Sequence, residues 1–208
     1  MRRACLNYDR VVRQRPATVI DQELVDATAA TITRWGLAEV TLDRVAAEAG
    51  LSRATIYRRG VTRDDLIAAL TLEALDTYNR SMLPALSAPG TARERLELAL
   101  RALCTAADDH LHLLAGMFLA HGEVFHQPGP DAMVVDVFAE PFERLLHDGA
   151  ADGTLRALSP TITATVLFNL VGWAYIHLRA AHDWNAETAA QSILDIVLRG
   201  VVSEGAAR

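Results

Sequence analysis

Residues Thr41 to Leu66, TLDRVAAEAGLSRATIYRRGVTRDDL, constrain the fold more than any other stretch of this 208-residue chain. Leu42, Val45, Ala46 and Ala49 recur at the spacing of one buried helical face, and Thr41 stands before them as an N-cap residue. Gly50 follows where the chain must leave that helix, because a left-handed C′ position carries no Cβ penalty in glycine. Leu51 is placed to pack back across the turn, and Ser52 to cap a second short helix, Arg53 to Arg59. Two helices joined by a turn of about three to four residues containing glycine make a helix-turn-helix. The second helix presents Arg53, Thr55, Tyr57, Arg58 and Arg59, side chains suited to a groove of DNA.

Overall charge argues against a nucleic-acid partner, and its distribution argues the other way. The net charge is −6, yet residues 1–63 hold eleven Arg against seven acidic residues and residues 64–208 hold nine against nineteen. A basic head on an acidic body suits DNA binding by the head alone. All twenty basic residues are Arg, the side chain that makes bidentate contacts to phosphate and guanine. A hydrophobic share of 51% with seven prolines allows a sizeable core in one or two domains. Cys5 and Cys104 fit no CxxC or Cys/His pattern and are expected to be reduced thiols. Arg2 and Arg3 have no apolar run behind them, so no signal peptide is expected. The apolar stretch Ala164 to Ile176 contains Asn169 and is too short to span a bilayer. A soluble, cytoplasmic protein without a membrane partner is expected.

No strand pattern or internal repeat is visible, which predicts an all-α fold of about nine helices. An Arg-rich flexible arm, 1–16, precedes a three-helix head, 17–62, whose first helix runs from about Ala17 to Trp35 with Ile20, Leu24, Ala27 and Ile32 on its apolar face. The helical body covers 63–208. Thr62 caps its first helix, which is expected to end near Met82, before a loop from Pro84 to Gly90. Thr91 and Glu94 have capping-box spacing and open a helix to about Asp108. Further helices are expected over Asp109–Phe125, over Asp131–Ala151 with Pro141 inside, from Ser159-Pro160 to about His182, and from an Asn185 cap to about Val202.

These motifs resemble the tetracycline-repressor (TetR) family of bacterial transcription regulators, over about Ile20 to Leu70. Ala27, Ala30, Trp35 and Gly36 look like the family's first helix and its terminal glycine; Thr41, Val45, Ala46, Ala49, Gly50, Leu51, Ser52, Thr55, Ile56 and Tyr57 follow in register. Thr62, Arg63, Asp65 and Leu66 resemble its Ser-Lys-x-x-Leu start of the fourth helix. The family usually carries Phe three residues after the tyrosine. This chain has Gly60 there, with Val61 beside it as the apolar substitute.

The candidate DNA contacts follow from both lines of argument. Thr41 and Ser52 sit at helix starts, where hydroxyls and free N–H groups can take phosphate oxygens, and Arg44 can reach the backbone from the preceding helix. Arg53, Ala54 and Thr55, joined by Arg58, are placed for base edges, with Arg53 reading guanine. The resemblance implies that Tyr57 and Arg63 meet phosphate. It also implies a homodimer on double-stranded DNA, reading a pseudo-palindrome, and a repressor released by a small molecule.

The family's ligand cavity lies among helices four to eight. The corresponding lining is Tyr78, Met82, Met117, Phe118, His121, Phe125, Phe142 and Trp173, which suggests an apolar or aromatic effector with one polar handle. The last two helices are apolar on more than one face. The resemblance assigns the surplus, Val166, Leu170, Ala174, Leu178, Ile193, Ile196, Val197 and Gly200, to a four-helix dimer interface. No cofactor or metal is expected. Glu123-Val-Phe-His126 has Glu-x-x-His spacing, but a di-iron carboxylate site needs two such motifs. No GxSxG, Cys/His pair or phosphate loop suggests an enzyme. The alternative is a helical adaptor that keeps the fold without binding DNA.

Overall fold

The structure, a computed structural model, describes residues 20–120 and 133–201, except for the side chains of 119–120 and 133–137. Among them are nine α-helices, one 3₁₀ turn and no β-strand. The chain divides into two compact units after Leu72.

The first unit contains α1 (Gln22–Trp35), the 3₁₀ turn (Leu37–Glu39), α2 (Leu42–Glu48), α3 (Arg53–Arg58) and the beginning of α4 (Arg63–Ser87). Helix α1 starts at Gln22 instead of near Ala17, because Asp21 is extended at φ −65 and ψ 147. The Asp21 carboxylate makes no cap bond and instead accepts from Arg59 at 2.8 Å. Helix α3 ends at Arg58, one residue earlier than expected, with Arg59 as its C-cap.

Local chemistry sets the remaining boundaries. The Thr41 hydroxyl accepts from the Arg44 amide and the Ser52 hydroxyl from the Thr55 amide, so α2 and α3 both begin on side-chain caps. Between them Gly50 turns at φ +65, while Leu51 N–H donates to the Ala46 carbonyl at 2.8 Å. Gly60 closes α3 in the same left-handed way at φ +67. The next residue, Val61, is buried in the apolar centre with Leu24, Ile32, Val45, Ile56 and Leu66. The position lost to glycine is thus filled one residue later.

The second unit holds the rest of α4, α5 (Ala92–Asp109), α6 (Leu111–Ala120), α7 (Met133–Asp152), α8 (Pro160–Ala180) and α9 (Ala186–Val201). Helix α4 does not stop before Pro84; it runs through that proline to Ser87. Pro84 and Arg80 are both exposed, so the carbonyl deprived of its amide partner lies where solvent can take over. The capping box of Thr91 and Glu94 is complete. Asn185 caps α9 by accepting from the Thr188 amide at 2.9 Å. Ser159 occupies the N-cap position of α8 without a side-chain bond, leaving Pro160 as the start signal.

Helix α8 ends at Ala180, two residues early. Just before that end Arg179 clamps Asp108 of α5 at 2.6 and 3.3 Å and also donates to the Trp184 carbonyl. One face of α8, built from Ala164, Leu167, Val171 and Tyr175, packs into the core with Leu100, Phe142 and Leu145. At 21 residues α8 is longer than the apolar run that seeds it, and by length and composition alone it could cross a bilayer.

Candidate nucleic-acid interface

Short capped helices leave the head few ways to bury its polar groups, so most stay on the surface. On α3 only Ile56 is buried; Arg53, Ala54, Tyr57 and Arg58 are exposed together. They form one outward polar face of the kind that enters a major groove. Thr41 and Ser52 are exposed at the helix starts, with their oxygens accepting the cap bonds. Thr55 is half-buried, its hydroxyl 2.8 Å from that of Ser52.

The arginines of the head are mostly engaged. Arg44 donates to the Glu39 carbonyl at 2.6 Å and to its carboxylate at 2.7 Å. Arg59 holds Asp21, and Arg34 lies 3.5 Å from Glu48. Arg63 is half-buried: its Nε and Nη2 donate to the carbonyls of Val40 and Leu37, both at 3.0 Å. Those bonds brace α4 against the 3₁₀ turn and commit donors that the resemblance assigns to phosphate. Arg53 pairs with Asp43 at 2.7 Å and lies over the Tyr57 ring at 5.6 Å. Tyr57 and Asp43 both raise its pKa, so it stays charged. Arg58 has no ion pair or hydrogen bond among the described residues.

This pairing changes the charge argument. Residues 20–63 contain six arginines and six acidic residues, so the described part of the head is neutral by count. The whole excess of residues 1–63 belongs to residues 1–19, with five arginines against one aspartate, outside the described residues. Asp43 and Glu39 were not foreseen as parts of the site. The only local sign of Asp43 is an acid in a first helical turn, since its partner lies ten positions on, across the turn.

In the second unit the expected ligand lining separates. Met82 and Phe142 lie in the core, and Tyr78 is buried there with its hydroxyl donating to the Phe138 carbonyl at 2.6 Å. Burial raises the Tyr78 pKa. Phe118 is exposed and Met117 half-buried, while His121 and Phe125 lie outside the described residues, as does the Glu123–His126 motif. Phe118 packs on Trp173 with centroids 4.9 Å apart, and Trp173 Nε1 donates to Asn169 Oδ1 at 3.1 Å. Burial pushes the Cys104 thiol up to about 12, which makes it unreactive; Cys5 is outside the described residues.

The eight residues assigned to the dimer interface divide likewise. Ile193 and Val197 are buried inside the protomer, and Ala174 and Leu178 are half-buried. Val166 (54% exposed), Leu170 (51%) and Ile196 (75%) face outward with Gly200, and Ile162 (67%) extends the same stripe one turn back along α8.

These features define a class: an all-α protein with a helix-turn-helix DNA-binding unit followed by a helical body. The family model for bacterial regulatory proteins, tetR family, matches residues 24–70. Solved structures share the fold at low identity. Ketosteroid transcriptional regulator KstR2 of Mycobacterium tuberculosis is 19% identical, with 91% of this chain and 100% of that one covered and a TM-score of 0.69. PfmR from Thermus thermophilus, a TetR family transcriptional regulator, is 20% identical over 86% and 98%, at 0.69. A TetR/AcrR family regulator from Thermobifida fusca is 18% identical over 86% and 96%, at 0.64. No curated protein matches the chain. Residues 24–70 thus match the tetR-family model, and the chain has the fold of these solved structures.

Proposed function

We propose that this protein is a cytoplasmic homodimeric repressor that holds a pseudo-palindromic operator and releases it on binding a small apolar or aromatic molecule. The observation that carries the DNA side is the exposed face of α3, where Arg53, Ala54, Tyr57 and Arg58 stand over a single buried side chain, Ile56. One six-residue helix is too small a reader to be specific, so two copies reading two half-sites are required. The exposed apolar side chains of α8, Ile162, Val166 and Leu170, and Ile196 of α9 support that pairing. An apolar face of this kind, beside a complete core, calls for a protein partner.

The effector reading is supported by the partly exposed group of Phe118, Met117 and Trp173, with Asn169 as its polar handle. Such a ligand can move the repressor off DNA only by its difference in affinity between the two states. Release would act through the separation of the two heads. The test is retardation of DNA from upstream of the protein's own gene, titrated with salt. Phosphate contacts predict binding that weakens steeply as salt rises. No shift at low salt, or a shift indifferent to salt, overturns the reading.

A further inference from the structure

Asp43 is an acid on a surface that has to approach a polyanion. Its position in the first turn of α2 suits the helix dipole, but that does not account for its partner. Its Oδ2 lies 2.7 Å from Nη2 of Arg53, the first residue of α3, and the Arg53 guanidinium sits 5.6 Å from the centre of the Tyr57 ring. One guanidinium is therefore held from two directions, by a carboxylate on the neighbouring helix and by a ring one turn further along its own. The first residues of a recognition helix are the ones that reach base edges.

The pair contributes little to the fold. The Arg53 and Asp43 side chains are 71% and 46% exposed, and exposed ion pairs are nearly neutral in stability. Its effect is on geometry. A guanidinium has five N–H donors in a planar fork, so one contact through Nη2 leaves enough for a two-point contact with guanine O6 and N7. An untethered arginine would lose its rotamer freedom on binding; one already held against a carboxylate and a ring has lost it beforehand. Arg58, without a carboxylate partner among the described residues, has charge without a fixed direction, which suits phosphate.

We propose that Asp43 is a positioning residue for base readout: it holds Arg53 ready for a guanine edge in the major groove and so fixes the preference at one base of each half-site. This rests on the DNA-binding reading above. Removing the carboxylate then has two effects of opposite sign. Discrimination falls at a single base, and sequence-independent affinity rises because one negative charge near the phosphates is gone.

The experiment is selection from a randomised double-stranded DNA library at one fixed salt concentration, with the full-length protein, Asp43→Asn and Arg53→Ala. Both substitutions are on the surface, and asparagine suits a first helical turn. The unsubstituted protein is expected to select guanine at one position per half-site, and Arg53→Ala to lose that preference. Asp43→Asn is expected to lose about 5-fold or more of the discrimination at that position alone, within the range of one good bidentate contact. Its binding to unselected duplex should tighten. If Asp43→Asn binds every sequence more tightly with the guanine preference intact, Asp43 is only a competitor for Arg53 and the proposal is overturned. The same follows if Arg53→Ala leaves every base preference unchanged. Failure of the unsubstituted protein to retain any duplex, even at low salt, would instead remove the DNA-binding reading beneath it.

Discussion

The recognition helix α3 and the long helix α8 end with opposite kinds of surface for opposite reasons. Helix α3 has six residues and buries one side chain, so nearly everything it carries is polar and outward. Helix α8 has 21 residues, buries Ala164, Leu167, Val171 and Tyr175 on one side, and still exposes Ile162, Val166 and Leu170 on the other. A short polar helix cannot hold itself in place by burial. It depends on caps, on glycine turns and on its neighbours' side chains. A long apolar helix has more hydrophobic surface than its own unit can cover. The first surface is complementary to a polyanion and the second to protein.

The largest effect should come from breaking the second surface. Val166→Glu with Ile196→Glu places two charges on side chains already exposed in the protomer, so the fold should survive. Monomers are expected by sedimentation at micromolar concentration. Operator affinity should fall roughly 10²- to 10⁴-fold as the two heads lose their linkage. A variant that stays dimeric would show that this face serves something other than self-association.

Next comes the support beneath the first surface. Ile56 is fully buried and is the only side chain anchoring α3 from below. Ile56→Ala should cost about 2–5 kcal/mol. That loss should appear by hydrogen exchange in the first unit, with protection of α5 and α8 retained. Equal loss in both units would mean that they unfold as one.

Arg58→Ala tests the polar face itself and should act more gently. With no partner to lose among the described residues, the change should leave stability unaltered and weaken binding to all sequences alike. The slope of log affinity against log salt should drop by about 1. A loss confined to one base position would place Arg58 among the base readers and give the phosphate role to another residue.

How much of this was legible in the sequence depended on how local the chemistry is. Caps need one side chain and an amide three residues on, so Thr41, Ser52, Thr91 and Asn185 could be placed from spacing alone. Arginine partners are not local: Asp21 and Arg59 are 38 positions apart, and Arg63 bonds carbonyls more than twenty positions back. The head therefore reads as basic, whereas most arginines of its described part are already engaged by acids or carbonyls. Pro84 reads as a helix stop from its missing donor alone, yet Pro84 and Arg80 are both exposed and the helix continues to Ser87. In α9, periodicity showed two apolar faces but not that Ile193 and Val197 point inward while Ile196 points out. For the lining, spacing marks aromatic and Met residues as apolar but does not tell Met82 and Phe142, which are buried in the core of the body, from the more exposed Phe118.

The smallest effect separates the two units by pH. All seven histidines lie from residue 110 onward, so the first unit has none among its described residues. His110 is half-buried, its Nε2 3.2 Å from the Thr77 hydroxyl. Burial lowers its pKa from the ordinary 6.5, although Glu73 and Asp109 pull the other way. Between the folded value and 6.5 the unfolded chain binds more protons than the folded body does. Stability from the neutral imidazole is therefore complete above about 6.5 and declines as pH falls toward the folded value. Asp108, held low by its bond from Arg179, keeps its contribution through that window and loses it only below the ordinary carboxylate value of 3.8. Thermal melting between pH 7 and 5 should thus lower the body's midpoint, and His110→Gln should flatten that dependence while leaving the head's transition unmoved. A slope that persists in His110→Gln would assign the titration to another of the body's histidines, and a matching slope in the head would show that the two units do not unfold independently.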